Sequence, residues 1–402
     1  MNAPRRAARR RAPHPAAAPL RVAIAALTTA LGLSAAALGA LSLRMARTVV
    51  TPAGRVPDVQ LLALDPAAQT ITLQRTDDTA LPGRYGLFTT GSLDYLRLGS
   101  VVRADHASVT RKLLTHVPVD AHLAPAAAFS GWYYDKPDDL QIPYRNALIG
   151  TPVGPCAAWE FPAAVDTDVW VIQVHGRGTT RSEALRAVPV FHDLGITSLL
   201  VSYRNDGEAP RSRTGTYALG ATEWRDVDAA IGYARRQGAR RILLMGWSMG
   251  GAIALQTEFA SPHRDVIEGL ILESPVADWR TVLRYHSRLL RLPGVVLAFA
   301  QRILDSEWGA VLTGSGSAIP LDSLDAVARA GELRHPVLLL HSDDDGFVPS
   351  DASHALAEAR PDLVTMETFT VARHTKLWNY DEARWTRAIQ DWVRAQGLAA
   401  GE

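Results

Sequence analysis

From about Thr151 onward, short and nearly continuous apolar runs alternate with segments of helical period. The runs at 168–174, 196–201, 241–245, 270–272 and 337–340 have the make-up of strands buried on both faces. Between them, 182–192, 222–236 and 250–259 read as helices, and 363–370 reads as a last strand. Trp385, Ala388, Ile389, Trp392 and Val393 recur at i, i+3, i+4, i+7 and i+8, which gives a closing helix one apolar face. This alternation predicts βαβ units and an α/β fold built on a mostly parallel sheet flanked by helices.

The pattern changes twice on the N-terminal side. Residues 44–146 carry period-two stretches such as Thr70-Ile71-Thr72-Leu73-Gln74 among many Gly and Pro turns, so a small β-rich region is expected there. It is read either as a module packed over the main domain or as a spacer. Residues 22–43 contain no charged side chain and are bracketed by Arg21 and Arg44. About 22 apolar residues suffice to cross a hydrocarbon core as one helix, so this stretch is expected to be a transmembrane signal-anchor.

Between Ser274 and His335, where only a short crossover is required, the chain inserts a long segment, expected to form a helical cap at about 276–330. Trp279, Val282, Leu283, Leu289, Leu290, Val296, Leu297, Phe299 and Trp308 supply surface there that either lines an acyl pocket or fastens the cap to the domain beneath.

Composition adds little to the fold but bears on the topology. The 402 residues are 47% hydrophobic and 21% charged, as in a globular protein. The net charge of +1 hides a cluster, because Arg5, Arg6, Arg9, Arg10, Arg11 and Arg21 all lie in the tail 1–21. By the positive-inside rule, that tail is expected in the cytoplasm and the catalytic region outside it. The alternative is secretion after signal-peptide cleavage near Ala35-Ala36-Ala37. Elsewhere arginines are interleaved with acids, so no nucleic-acid partner is expected. Cys156 is the single cysteine, which excludes an intramolecular disulfide and a cysteine zinc site; it reads as a small packed residue.

Candidate chemistry begins at Gly246-Trp247-Ser248-Met249-Gly250, directly after the apolar run 241–245. A serine between glycines at a strand-to-helix turn is a nucleophile elbow, which presents the hydroxyl where a base and backbone N–H groups reach it. After the run 337–340 comes the acidic turn His341-Ser342-Asp343-Asp344-Asp345-Gly346-Phe347-Val348-Pro349, and before the closing helix stands His374 in a loop. His286, in the cap, is the rival base. No cofactor and no metal are expected; a calcium loop would need an acid where His341 stands.

Elbow, acidic turn and histidine loop, in this order and strand context over 147–397, resemble the α/β-hydrolase superfamily, in particular its serine aminopeptidase-like and prolyl-oligopeptidase-like branch. The resemblance implies the α/β-hydrolase fold with a helical cap and a Ser-Asp-His triad of Ser248, Asp345 and His374. Asp345 is chosen because it precedes Val348-Pro349 as in the family's Asp-x-x-Val-Pro turn; Asp343 and Asp344 then cap the turn. His175-Gly176-Arg177-Gly178 looks like the family's oxyanion loop, so the resemblance assigns the oxyanion to the N–H groups of Arg177 and Met249, with His175 packed beneath.

The expected activity is cleavage of a small-molecule carboxylic ester, or an amide, through an acyl-enzyme on Ser248. The rivals are an acyltransferase using the same serine, a serine peptidase, and a non-enzymatic scaffold. Region 44–146 is not the propeller of large prolyl oligopeptidases, which tells against the peptidase. Arg177, Arg181 and Arg204 raise a further expectation of an anionic substrate.

Overall fold

A computed structural model describes residues 17–399; of the expected basic tail 1–21, residues 1–16 lie outside the described residues. The first element, α1 (Ala17–Val50), is one unbroken helix. Its stretch from Val22 to Val50 is apolar and long enough to cross a membrane. From Val22 to Ala37 it is exposed on every side, whereas Ser42, Ala46 and Val50, one face at i, i+4 and i+8, are buried. The expected span ended at Leu43, but the helix continues through 44–50, residues assigned above to the β-rich region. The cause is tertiary: the last turns pack against two helices of the cap.

The β-rich region folds as a closed antiparallel barrel. Its strands are β1 (Val59–Asp65), β2 (Thr70–Gln74), β3 (Tyr85–Phe88), β4 (Tyr95–Ala104), β5 (Ser108–Leu113) and β6 (Ala126–Ser130), in the order β1-β2-β5-β4-β3-β6. Alternation puts Ile71, Leu73, Leu87, Leu96, Leu98 and Val109 inside. Arg111 also points inward, in register with Val109 and Leu113. Its guanidinium donates to the carbonyls of Thr79, Leu81, Gly83 and Gly99, so backbone oxygens satisfy the buried cation in place of a carboxylate.

The barrel is not a spacer. It sits on the main domain near the histidine loop: Arg373 and Lys376 pair with Asp78, Asn379 donates to the Arg84 carbonyl at 2.7 Å, and Arg84 pairs with Glu382.

The main domain is an eight-stranded sheet of β7 (Arg145–Thr151), β8 (Gly154–Phe161), β9 (Val169–Val174), β10 (Thr197–Val201), β11 (Arg241–Trp247), β12 (Ile267–Glu273), β13 (Val337–Ser342) and β14 (Val364–Phe369). The order is β14-β13-β12-β11-β9-β10-β8-β7, with β9 to β14 parallel and β7 and β8 antiparallel at one edge. The chain passes from β9 to β10 on one side and then to β11 on the other. The crevice at the C-terminal ends of β9 and β11 is therefore the topological switch point, where such sheets bind ligands.

Helices α2 (Val188–Asp193), α3 (Trp224–Arg236), α4 (Met249–Ala260), α8 (Asp351–Ala359) and α10 (Glu382–Ala395) cover the sheet, and a single turn, α9 (Leu377–Tyr380), leads into α10. Of the helix expected at 182–192, the first part is a 3-10 helix, Arg181–Ala187. The cap comprises α5 (Trp279–Leu289), α6 (Gly294–Leu304) and α7 (Glu307–Thr313). Asp278 caps α5 by accepting from the N–H groups of Arg280 and Thr281, and Ser306 caps α7 through Gly309. Arg280 then pairs with Asp305 and Asp322, tying the cap to itself.

Candidate active site

Ser248 stands at the switch point, between the end of β11 and the first turn of α4, with φ 51° and ψ −116°. A non-glycine residue held at positive φ costs free energy and persists only where its surroundings impose it. Here they do. A Cβ on Gly246 would meet the Gly250 carbonyl oxygen at 2.4 Å, and one on Gly250 would meet the Val174 carbonyl oxygen at 2.1 Å. The two glycines of the elbow are thus required by close backbone approach, Gly246 to the first turn of α4 and Gly250 to the end of β9.

The three residues expected as a triad come together. His374 Nδ1 donates to Asp345 Oδ2 at 2.7 Å, which leaves Nε2 to accept from the Ser248 hydroxyl at 3.1 Å. Asp345 is buried and fully used: its Oδ1 accepts the N–H groups of Phe347 and Val348, both at 2.8 Å, and His341 Nε2 lies 3.2 Å from Oδ2. Burial by itself would raise this carboxyl, but the electrostatic attraction and hydrogen bonds of the His374 and His341 rings outweigh it and hold Asp345 well below the usual carboxylate range.

Asp343 and Asp344 shape the turn, as expected. Asp343 accepts from Ser350 and His354, and Asp344 from Ser342 and the Arg373 N–H.

The glycine loop after β9 lies against the serine. A Cβ on Gly176 would sit 3.4 Å from Ser248 Cβ. The N–H of Arg177 donates to no backbone or side-chain acceptor among the described residues. Met249 is the first residue of α4, where no intrahelical acceptor exists for its N–H. His175 is fully buried, stacked on Tyr203 at 4.4 Å, with Nδ1 on the Gly176 carbonyl at 2.9 Å. It supports the loop and does not reach the serine.

The rival histidine, His286, donates from Nε2 to the Phe347 carbonyl at 2.9 Å. Its ring lies edge-on to Phe347, which in turn lies 5.1 Å from the His374 ring. His286 therefore forms the cap side of the pocket, and burial lowers its pKa toward the neutral form.

Of the three arginines offered for an anionic substrate, Arg204 and Arg181 are ion-paired within the protein, whereas Arg177 is held by backbone carbonyls alone. Arg204 forms a two-pronged pair with Asp226, and Arg181 binds Ser202 and Glu208 and stacks over Trp159. Arg177 donates to the carbonyls of Thr48, Val49 and Thr51 at the end of α1.

Sequence reasoning missed the group beneath the triad. Glu273, at the end of β12, is completely buried and accepts from the indole N–H groups of Trp247 and Trp385, both at 2.9 Å. Arg186 lies 3.7 Å from the same carboxylate and donates to the carbonyls of Gly131 and Thr375. One buried pair thus links the elbow, the barrel, the histidine loop and the closing helix. The only hint in the sequence is a glutamate directly after an apolar strand, a common strand ending.

Two cavities meet at Ser248. One, of about 490 Å³, is lined by the cap residues Trp279, Val282, Leu283 and Leu290, by Phe347, and by Leu41, Met45, Thr48 and Val49 of α1. Of the other cap residues considered above, Val296 is buried in the packing, whereas Phe299 and Trp308 face outward. The second cavity, of about 350 Å³, carries charged side chains on its wall and runs past Arg55, Asp58, Thr179 and Glu183 to His374.

Comparison with known proteins agrees with this architecture. Residues 60–130 match a family model described only as a domain of unknown function. The chain is 24% identical over 233 residues to the uncharacterized protein YqkD of Bacillus subtilis, covering 57% of this chain and 72% of that protein. It is 25% identical to human protein ABHD12B and 28% identical to the uncharacterized membrane protein YNL320W of Saccharomyces cerevisiae. Those matches cover 51% and 40% of this chain, and it spans only about half the length of the two relatives, 53% and 55%. Among solved structures, an esterase of Pyrococcus furiosus, Pf2001, shares the fold at a TM-score of 0.51 and 18% identity, over 65% of this chain and 94% of that one. A family model described as the alpha/beta hydrolase family matches residues 171–389, from the first parallel strand to the closing helix. The chain belongs to the alpha/beta hydrolase family.

Proposed function

We propose that this protein is a membrane-anchored serine hydrolase that cleaves carboxylic esters through an acyl-enzyme on Ser248. The observation that carries the reading is His374 bridging Ser248 and the buried Asp345, with the elbow strain and the glycine loop beside it. His374 Nε2 takes the hydroxyl proton as Ser248 Oγ attacks the ester carbonyl; Asp345 holds the imidazole tautomer and stabilises the cation that forms. The N–H groups of Arg177 and Met249 receive the developing oxyanion, each worth roughly two to three orders of magnitude in rate. The proton then passes from Nε2 to the departing alcohol. A water molecule, deprotonated by the same nitrogen, attacks the acyl-enzyme, releases the acid and restores the serine.

In this reading residues 22–43 anchor the chain, the arginine-rich tail stays in the cytoplasm, and the barrel and hydrolase domain lie outside it. An alkyl fluorophosphonate is expected to label Ser248 of the purified full-length protein, with ester turnover falling by roughly 10⁴- to 10⁶-fold in Ser248→Ala and His374→Ala. Labelling that persists in Ser248→Ala would reject the nucleophile. A product mixture containing a new ester when an alcohol is supplied would favour the acyltransferase reading.

A further inference from the structure

The larger cavity at Ser248 is not closed by the hydrolase domain and its cap alone. One wall is α1: Leu41, Met45 and Thr48, at i, i+4 and i+7, line it together with Val49 and with Arg44, whose charge marks the outer limit of the apolar stretch. The same helix is apolar and exposed on all sides from Val22 to Ala37. A helix rises about 1.5 Å per residue, so about 30 Å of hydrocarbon entered at Val22 ends near Leu41, the first cavity-lining residue. The pocket begins where the bilayer would stop.

The outside of the cap around this point carries a group of exposed apolar side chains, interspersed with exposed Arg302 and Glu307. Leu290, Val295, Phe299, Trp308, Val311 and Leu312 are all exposed, and Phe299 and Trp308 touch at 5.8 Å between ring centroids. This surface adjoins the anchor directly, because Arg47 of α1 donates to the Leu312 carbonyl at 2.8 Å. Exposed Arg288 and Arg291 flank the Leu289-Leu290 pair at its edge. An apolar face with a basic rim, continuous with a membrane-length helix, suits the headgroup boundary of a bilayer.

From these juxtapositions we infer that the substrate is a bilayer-borne acyl ester, whose hydrocarbon chain slides sideways along α1 into the Leu41-Met45-Thr48 wall while the cap sits in the same leaflet. This rests on the proposed Ser248 chemistry and anchor. The chain occupies the apolar cavity and the polar alcohol portion the cavity beside Arg55, Asp58 and Glu183, with the ester carbon at Ser248 between them. Oγ bonds to the acyl carbon, the alcohol leaves with the proton from His374, and water then yields the free fatty acid.

The test uses full-length protein in phosphatidylcholine–phosphatidylglycerol vesicles, with p-nitrophenyl palmitate in the bilayer and p-nitrophenyl butyrate in the water. Met45→Trp fills the wall, and its palmitate-to-butyrate rate ratio is expected to drop about tenfold or more relative to wild type, because a single methylene in an apolar pocket discriminates roughly 10- to 200-fold. Fluorophosphonate labelling of Ser248 reports whether the variant retains a folded site; if it does not, Leu41→Trp, at a half-exposed position, is read in its place. An unchanged ratio in a labelled variant overturns the proposal, as does wild-type protein that turns over butyrate but leaves palmitate intact. Unlabelled wild type would reject the Ser248 reading, and extraction by alkaline carbonate would reject the anchor; either takes this proposal with it.

Discussion

Arg177 Nε donates to the Val49 carbonyl oxygen at 3.1 Å, so the loop that follows β9 holds the C-terminal end of the N-terminal helix. The same guanidinium reaches the carbonyls of Thr48 at 2.5 Å and Thr51 at 2.8 Å. Three of the carbonyls left without partners where a helix ends are thereby satisfied by a cation, the charge that a helix C-terminus favours. This residue lines both cavities at Ser248 while its side chain binds the end of α1.

Removing that latch is expected to reduce turnover without removing the nucleophile. In Arg177→Ala the loop loses hydrogen bonds from a charged donor, and we expect kcat to fall roughly tenfold, with faster protease cleavage within 51–58. Arg177→Lys, a single point donor, is expected to restore only part of the rate. Equal kcat in Arg177→Ala and wild type, measured on a short-chain ester, would show that the loop keeps its shape without α1.

The Asp345 carboxyl gives a pH signature. Its folded pKa lies below the unfolded value of about 3.9, so the stability it contributes is complete above that pH and is lost as pH falls through the folded pKa. Urea melts of wild type and Asp345→Asn are expected to differ most near neutral pH and to begin approaching one another only as pH falls below about 4. A gap that widens on acidification would contradict the assigned sign.

The buried Arg186–Glu273 pair is expected to matter for stability more than any surface ion pair. Arg186→Met leaves a fully buried carboxylate facing only two indole N–H groups and one distant backbone donor, which is expected to cost about 3–5 kcal/mol. Arg394→Met, at an exposed i, i+3 pair with Asp391, is expected to cost under about 1 kcal/mol. Denaturant midpoints for both variants check the contrast, and equal losses would refute it.

Cys156 is expected to be chemically silent. Burial pushes its thiol up to about 11, outweighing the Thr151 hydroxyl at 3.6 Å and the Arg204 charge, which act against it. The thiolate is the reactive form, so Ellman's reagent at pH 8 is expected to find no thiol in native protein and one after denaturation. Rapid native labelling would place the side chain at the surface.

Much of the sheet was legible because strands buried on both faces must be written as apolar runs. The observed β9, β10, β11, β13 and β14 fall within a residue or two of the expected bounds. β12 is longer than the run 270–272, since Glu268 and Gly269 interrupt its hydrophobic pattern inside the ladder. The first turns after β9 form a 3-10 helix because the 181–187 segment is shaped by buried polar contacts of Arg181, Glu183 and Arg186, not by an apolar stripe. Arg111 was illegible for the same reason: its partners are backbone carbonyls, and those carry no sequence signal.

By itself the chain determined the order of the chemical groups: a serine between two glycines after one strand, an acidic turn after a later one, and a histidine before the last helix. Local pattern suffices there because an elbow, a turn and a helix face are each specified by neighbours along the chain. What lies between elements was decided only by tertiary structure. The barrel clamps the histidine loop, Glu273 ties four segments together, and α1 extends past its apolar span to become a wall of the Ser248 cavity. No periodicity could foretell these, because a helix end becomes a pocket wall only when distant residues, here Arg177 and the cap, come up against it.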